Sequence, residues 1–180
     1  MGSTIPLSQL GGRSATFEQP FEMMEACHER VERTLGLLQR LREHLPEHGA
    51  DEQAQQAARD IMKYFDQAAP QHHRDEELHV FPPLMAHGDD ATPATVSRLQ
   101  QDHLQMDARW RAARPVLEGI AKGELGSLSQ DQGAALDAFA CLYADHIVAE
   151  EQVAYPAAQK LLDDAAVQAM GAEMKKRRGG

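Results

Sequence analysis

The 180-residue chain predicts an all-α fold: an antiparallel, up-down-up-down four-helix bundle with a short fifth helix at its C-terminal end. Three observations lead there. Four long segments repeat their apolar residues at steps of three and four. The connections between them are short and carry Pro, Gly and capping residues. No segment alternates apolar and polar residues between hairpin turns.

The first helix is expected from about Phe17 to Leu45, stopped by "LPEHG" with Pro46 and Gly49. Its inward stripe reads Phe21, Met24, His28, Val31, Leu35, Leu38. The second is expected from about Asp51 to Met85, with Ile61, Phe65, Ala68, His72 and His79 inward and Glu76 beside the seam. The third starts at Thr92 as N-cap with Pro93 in the first helical position, and ends near Gly123. Its stripe is Val96, Leu99, His103, Met106, Trp110, Ala113, Leu117, Ile120. The fourth starts at Ser129, whose partner Gln132 makes a capping-box pattern, and ends near Leu162. It turns Ala135, Phe139, Leu142, His146 and Val153 inward, with Glu150 placed as Glu76 is. The short fifth helix follows from Asp163. Residues 1–16 read as a flexible Gly/Ser lead-in, 17–163 as the bundle and 164–180 as the short helix and a basic tail.

The bulk composition narrows the function classes. The chain is 42% hydrophobic and 26% charged, with a net charge of −10. That balance argues against a nucleic-acid partner, which needs a basic face. The basic run "KKRR" at 175–178 reads as a solvated tail, with a weak anion-binding patch as the alternative. Cys27 and Cys141 stand in helical patterns without CxxC or zinc spacing, and read as reduced, partly buried thiols. No apolar run approaches the roughly 20 residues that span a bilayer, so no membrane partner is expected. The N-terminus has neither a signal-peptide nor a myristoylation pattern. A cytoplasmic location follows.

Every one of the four helices places a histidine in its own apolar stripe. A polar group buried without a partner costs about 1–3 kcal/mol, against a total stability of roughly 5–15 kcal/mol. Four imidazoles and two carboxylates must therefore satisfy one another or bind something. Neutral imidazoles and carboxylates together suit a first-row metal. The i, i+4 spacing of His72 with Glu76, and of His146 with Glu150, puts each pair on one helix face a turn apart. Two such pairs plus one histidine from each remaining helix give donors for two metals bridged by the carboxylates.

The chain also writes this pattern twice. "HHRDEELHVFP" at 72–82 and "HIVAEEQVAYP" at 146–156 lie 74 positions apart, pairing Phe65 with Phe139, Phe81 with Tyr155 and Pro82 with Pro156. The order His28, "HHRDEELHVFP", "QDHLQ", "HIVAEEQVAYP" resembles the hemerythrin-like HHE cation-binding domain over about residues 18–162. The resemblance implies a non-haem centre of two iron ions bridged by carboxylates and an oxo or hydroxo group. It makes His28, His72, His103 and His146 terminal ligands and Glu76 and Glu150 bridging ones. The oxygen carriers of this family have HxxxH on the third helix. Here that stretch is "HLQMD", with Asp107 four residues after His103, so both irons would keep open positions. The pattern is closer to bacterial di-iron proteins that handle nitric oxide or repair iron–sulfur centres. The repair proteins carry an extra cysteine-bearing N-terminal domain, and the N-terminal stretch here does not read as one.

The remaining polar residues are expected in lesser roles. Asp107 and Glu32 lie four residues after a seam histidine, as partners that orient an imidazole or as surface residues rather than ligands. His73, Glu77 and Glu151 sit one step off the ligand face and read as structural, and His79 as a neighbour of the site. His44, His48 and His87 fall near helix ends. Trp110, Tyr64, Tyr143 and the methionines read as core, with Tyr143 near enough to His146 to meet a ligand. The function expected is a monomeric or dimeric protein that binds nitric oxide or dioxygen. An enzyme acting on peroxide or nitric oxide is the first alternative, and an iron-handling or purely structural bundle the second.

Overall fold

The computed structural model describes residues 15–180. The lead-in expected at 1–16 lies, for residues 1–14, outside the described residues. The bundle predicted above is present, and the described residues contain no strand. Helix α1 is Pro20–His48. Helix α2 covers 52–87 in five abutting pieces: Glu52–Lys63, Tyr64–Ala68, Ala69–Asp75, Glu76–Val80 and Phe81–His87. Helix α3 is Thr92–Ala121. Helix α4 covers 130–161 as Gln130–Ala140, Tyr143–Ala149, Glu150–Ala154 and Tyr155–Leu161. Helix α5 is Asp164–Arg177.

The ends follow local chemistry with two departures from expectation. Pro46 does not stop α1; it is accommodated in the last turn, and Gly49 (φ 60°) ends the helix by donating its N–H to the Leu45 carbonyl. Thr92 does not cap α3. Asp89 does, accepting from the Ala91 and Thr92 amides and the Thr92 hydroxyl. Ser129 and Gln132 form the expected capping box on α4, and Asp51 and Asp163 cap α2 and α5.

Three of the pieces, Tyr64–Ala68, Glu76–Val80 and Glu150–Ala154, are π-helical turns. Each is followed by one residue and then a proline: Ala69-Pro70, Phe81-Pro82, Tyr155-Pro156. In a regular helix the proline ring would press on the carbonyl four residues back. Widening the preceding turn moves that carbonyl aside. The residue before each proline donates five residues back, Ala69 to Tyr64, Phe81 to Glu76 and Tyr155 to Glu150.

A π turn inserts one residue, so every inward position after it slips by one. This corrects the inward stripes. Ala69 is buried rather than Ala68; Val80 and Phe81 rather than His79; Ala154 and Tyr155 rather than Val153, which is exposed. In α4 the chain tightens at Cys141–Leu142, where Leu142 donates to the Phe139 carbonyl three residues back. Tyr143 is buried there and Leu142 only half so; likewise Leu136 takes the core position expected for Ala135.

The apolar core is divided. One cluster fills the end near the α1–α2 connection, around Val31, Leu38, Leu41, Ile61, Phe65, Trp110, Leu117 and Phe139. The other fills the opposite end, around Phe21, Met24, Val80, Phe81, Leu99, Tyr155 and, from α5, Met170 and Met174. Between the two lies a layer of buried polar side chains.

Helix α5 is held at its middle and at its C-terminal end. Gly171 lets the chain at Phe17 cross it, since a Cβ there would collide with the Phe17 carbonyl. Arg177 and Arg178 are not a solvated tail, contrary to expectation: both pair with Asp75, which is fully buried, at 2.7 and 2.5 Å. Arg177 also donates to Gln71 and Glu173. Lys175 and Lys176 alone of the basic run face solvent.

Candidate metal centre

The polar layer is made of His28 from α1, His72 and Glu76 from α2, His103 from α3, and His146 and Glu150 from α4, all at most 5% exposed. The helical repeat brings them to one level. His28 lies between the core residues Met24 and Val31 and His103 between Leu99 and Met106, while His72 and His146 follow buried Ala69 and Tyr143 by one turn and precede Glu76 and Glu150 by one.

The six side chains form two groups of four donor atoms, each group within 4.8 Å: His28, His72, Glu76, Glu150 and Glu76, His103, His146, Glu150. Both carboxylates belong to both groups, and each divides its oxygens between them. Glu76 sends Oε1 to within 3.1 Å of His72 Nε2 and Oε2 to within 3.2 Å of His103 Nε2. Glu150 sends Oε2 to within 3.1 Å of His28 Nε2 and Oε1 to within 3.0 Å of His146 Nε2. Glu76 Oε2, both Glu150 oxygens and the Nε2 atoms of His103 and His146 are buried with no hydrogen-bond partner. Buried polar atoms are seldom left so. A donor set of four imidazoles and two carboxylates, with its lone pairs turned inward, fits divalent or trivalent first-row metals.

The other ring nitrogens are held from outside. His28 Nδ1 donates to Glu151 (2.8 Å), His103 Nδ1 to Glu77 (3.1 Å) and His146 Nδ1 to Asp102 (3.2 Å). These acceptors place the ring proton on Nδ1 and aim the Nε2 lone pair at the centre. Glu77 and Glu151 are therefore more than structural, and Asp102 was not foreseen. The signal for Glu77 and Glu151 was in the duplicated "EE": the second glutamate of each pair serves a histidine of a different helix. His72 is the exception. Its Nδ1 has no acceptor, and the Cys27 thiol lies against its ring.

Several expected neighbours lie elsewhere. Asp107 pairs with Arg111 on the surface and Glu32 is exposed. His79 pairs with Glu173 of α5 at 2.6 Å. Tyr143 packs on Phe65 and Phe139, away from the donors. His73 stacks on His103, ring centroids 4.0 Å apart. The tyrosine at the centre is Tyr155, fully buried, whose hydroxyl donates to Glu76 and lies 3.3 Å from His28 Nε2. Sequence reading missed it because a regular helical count points Val153, not Tyr155, inward. Of the thiols, Cys27 is buried and Cys141 exposed, and both are free.

The electrostatics are those of a cluster that shares protons when no metal is bound. Burial alone would lower His28 and His103, but the carboxylates of Glu150 and Glu76 outweigh it and raise them to about 9 and about 10. His72 is likewise raised, burial opposing and Glu76 prevailing. Burial would raise Glu76 and Glu150, and the surrounding histidines hold both low instead. Burial raises Tyr155, and Glu76 and Glu150 add to it, so its proton stays on. Burial lowers His73, which stays neutral. No helix among the described residues is long and apolar enough to cross a membrane.

Residues 19–158 match the Hemerythrin HHE cation binding domain, a span that contains all six donors. A protein of Haemophilus influenzae, named only as uncharacterized, is 30% identical over 164 residues, covering 91% of this chain and 92% of its own length.

Proposed function

The chain belongs to the hemerythrin HHE cation-binding family, and on that premise we propose that it holds two iron ions and binds nitric oxide or dioxygen at them. The observation that carries this reading is the division of each carboxylate between the two donor groups. His28 and His72 would hold one ion, His103 and His146 the other, with Glu76 and Glu150 across both. Two imidazoles and two carboxylate oxygens leave a six-coordinate ion short of donors, and no further histidine of α3 reaches the layer. An iron pair so held supplies reversible redox change and open positions for a diatomic ligand. The protein's part is to keep that space dry between two apolar clusters and to fix the imidazoles through Glu151, Glu77 and Asp102. Handling of nitric oxide, in the manner of the bacterial di-iron proteins, fits these open positions better than pure oxygen carriage.

A second reading, an enzyme acting on peroxide or nitric oxide, is favoured by one feature. The Tyr155 hydroxyl supplies a buried O–H beside the donors, where a reduced ligand would need a proton.

The deciding experiment counts metal per chain in protein purified without added metal or a histidine tag. Close to two irons, followed by a spectral change of the reduced protein with nitric oxide or dioxygen, is the expected result. No iron after anaerobic loading overturns the proposal. Oxygen evolution from peroxide that is lost in His72→Ala selects the second reading over the first.

A further inference from the structure

We propose that the end of the bundle remote from α5 carries a second, exchangeable metal site, built by His44, His48 and Asp51, that takes a zinc(II)- or copper(II)-type cation. One donor atom from each residue lies within 4.8 Å of the others. His44 and His48 occupy the last turns of α1 at i, i+4, so both imidazoles leave the same face of the helix. Their rings stack 4.3 Å apart. Asp51, the N-cap of α2, is the last residue of the three-residue connection 49–51, and both of its oxygens lie 3.0 Å from His44 Nε2.

The arrangement has a simpler use, a hydrogen bond from His44 to the capping aspartate, but that accounts for only two of the three residues. His48 is half exposed and fills no core position; its Nε2 comes no closer than 3.9 Å to the exposed carboxylate of Glu47, and its ring still lies stacked on His44. Asp51 can serve both duties. Its Oδ1 accepts from the Ala54 amide as the α2 cap, and Oδ2 has no backbone partner. A cation taking the place of the proton between His44 and Asp51 would leave the cap intact. The local field also favours one: the carbonyls of a 29-residue helix end here, and a helix C-terminus attracts positive charge. Two imidazoles and a carboxylate suit zinc(II) and copper(II) rather than magnesium or calcium, which prefer all-oxygen sites. Partial exposure makes the bound ion exchangeable. His44 lies sixteen residues along α1 from His28, roughly 24 Å at 1.5 Å per residue, so this site is separate from the bundle centre.

The test is equilibrium dialysis of the full-length, iron-loaded protein against zinc(II), with zinc and iron counted together, for the parent and for His48→Asn. His48 is exposed at a helix end, so the variant retains the core. The parent is expected to bind one zinc per chain more than the variant, with iron unchanged in both. Copper(II) bound to the parent is expected to show coupling to two imidazole nitrogens by electron paramagnetic resonance, reduced to one in His48→Asn. Equal zinc in parent and variant overturns the proposal. So does zinc taken up only in exchange for iron, which would assign it to the bundle centre.

Discussion

Three of the four imidazoles, those of His28, His103 and His146, are aimed at the centre by carboxylates that hold their other nitrogen, so those acceptors carry part of the site's energy. Glu77→Ala and Glu151→Ala are each expected to weaken metal retention about 10–100-fold in a chelator competition, while Asp107→Ala leaves it unchanged. Equal losses in all three would show that only net charge matters. The asymmetry of roles explains what could be read beforehand. His28, His72, His103 and His146 were legible because each sits in an apolar stripe where a polar residue needs a reason, and Glu76 and Glu150 because each lies four residues after such a histidine in a stretch written twice. Glu77, Glu151 and Asp102 were not, because each stands one position away from an inward residue and serves a histidine on another helix. Tyr155 was hidden by a change of helical pitch.

That change belongs to the scale of the element. All four main helices and the fifth were legible from periodicity and caps, but periodicity assumes a constant turn. Pro70, Pro82 and Pro156 each widen the turn before them, and the inward stripe slips by one residue, from His79 to Val80 and from Val153 to Ala154, which brings Phe81 and Tyr155 inward beside them. The repeated aromatic-proline pair was the visible trace of this device, and its purpose lies in the register it sets. The two repeats differ where α5 docks: Asp75 stands in the first and Ala149 in the second, so the buried carboxylate that pairs with Arg177 and Arg178 of the C-terminal segment comes from α2. Removing Arg177 and Arg178 together leaves Asp75 buried and unpaired, and is expected to destabilise the protein by about 3–5 kcal/mol in chemical denaturation. Asp75→Ala is expected to cost less, because both arginines stand near the rim and regain water.

For the whole molecule, protons and metal compete for one layer. In metal-free protein His28 and His103 titrate near 9 and 10, above their unfolded value of about 6.5. A raised folded pKa stabilises fully below the unfolded value, and that contribution is lost as pH rises through 9 to 10. The depressed glutamates act oppositely, stabilising above about 4.5 and losing that contribution at lower pH. Metal-free protein is therefore expected to be most stable between about pH 4.5 and 6.5 and to lose melting temperature towards pH 9. Metal-loaded protein is expected to hold its melting temperature there, so the gap between the two widens with pH. A gap that narrows with pH in thermal melts would contradict the proton-sharing cluster. The layer has one more consequence. Its donors are split evenly along the chain: His28, His72 and Glu76 come before the short connection at 88–91, and His103, His146 and Glu150 after it. Neither hairpin alone holds a complete group of four, so a chain nicked at that connection would be two fragments that need each other, with bound metal as the rivet between them.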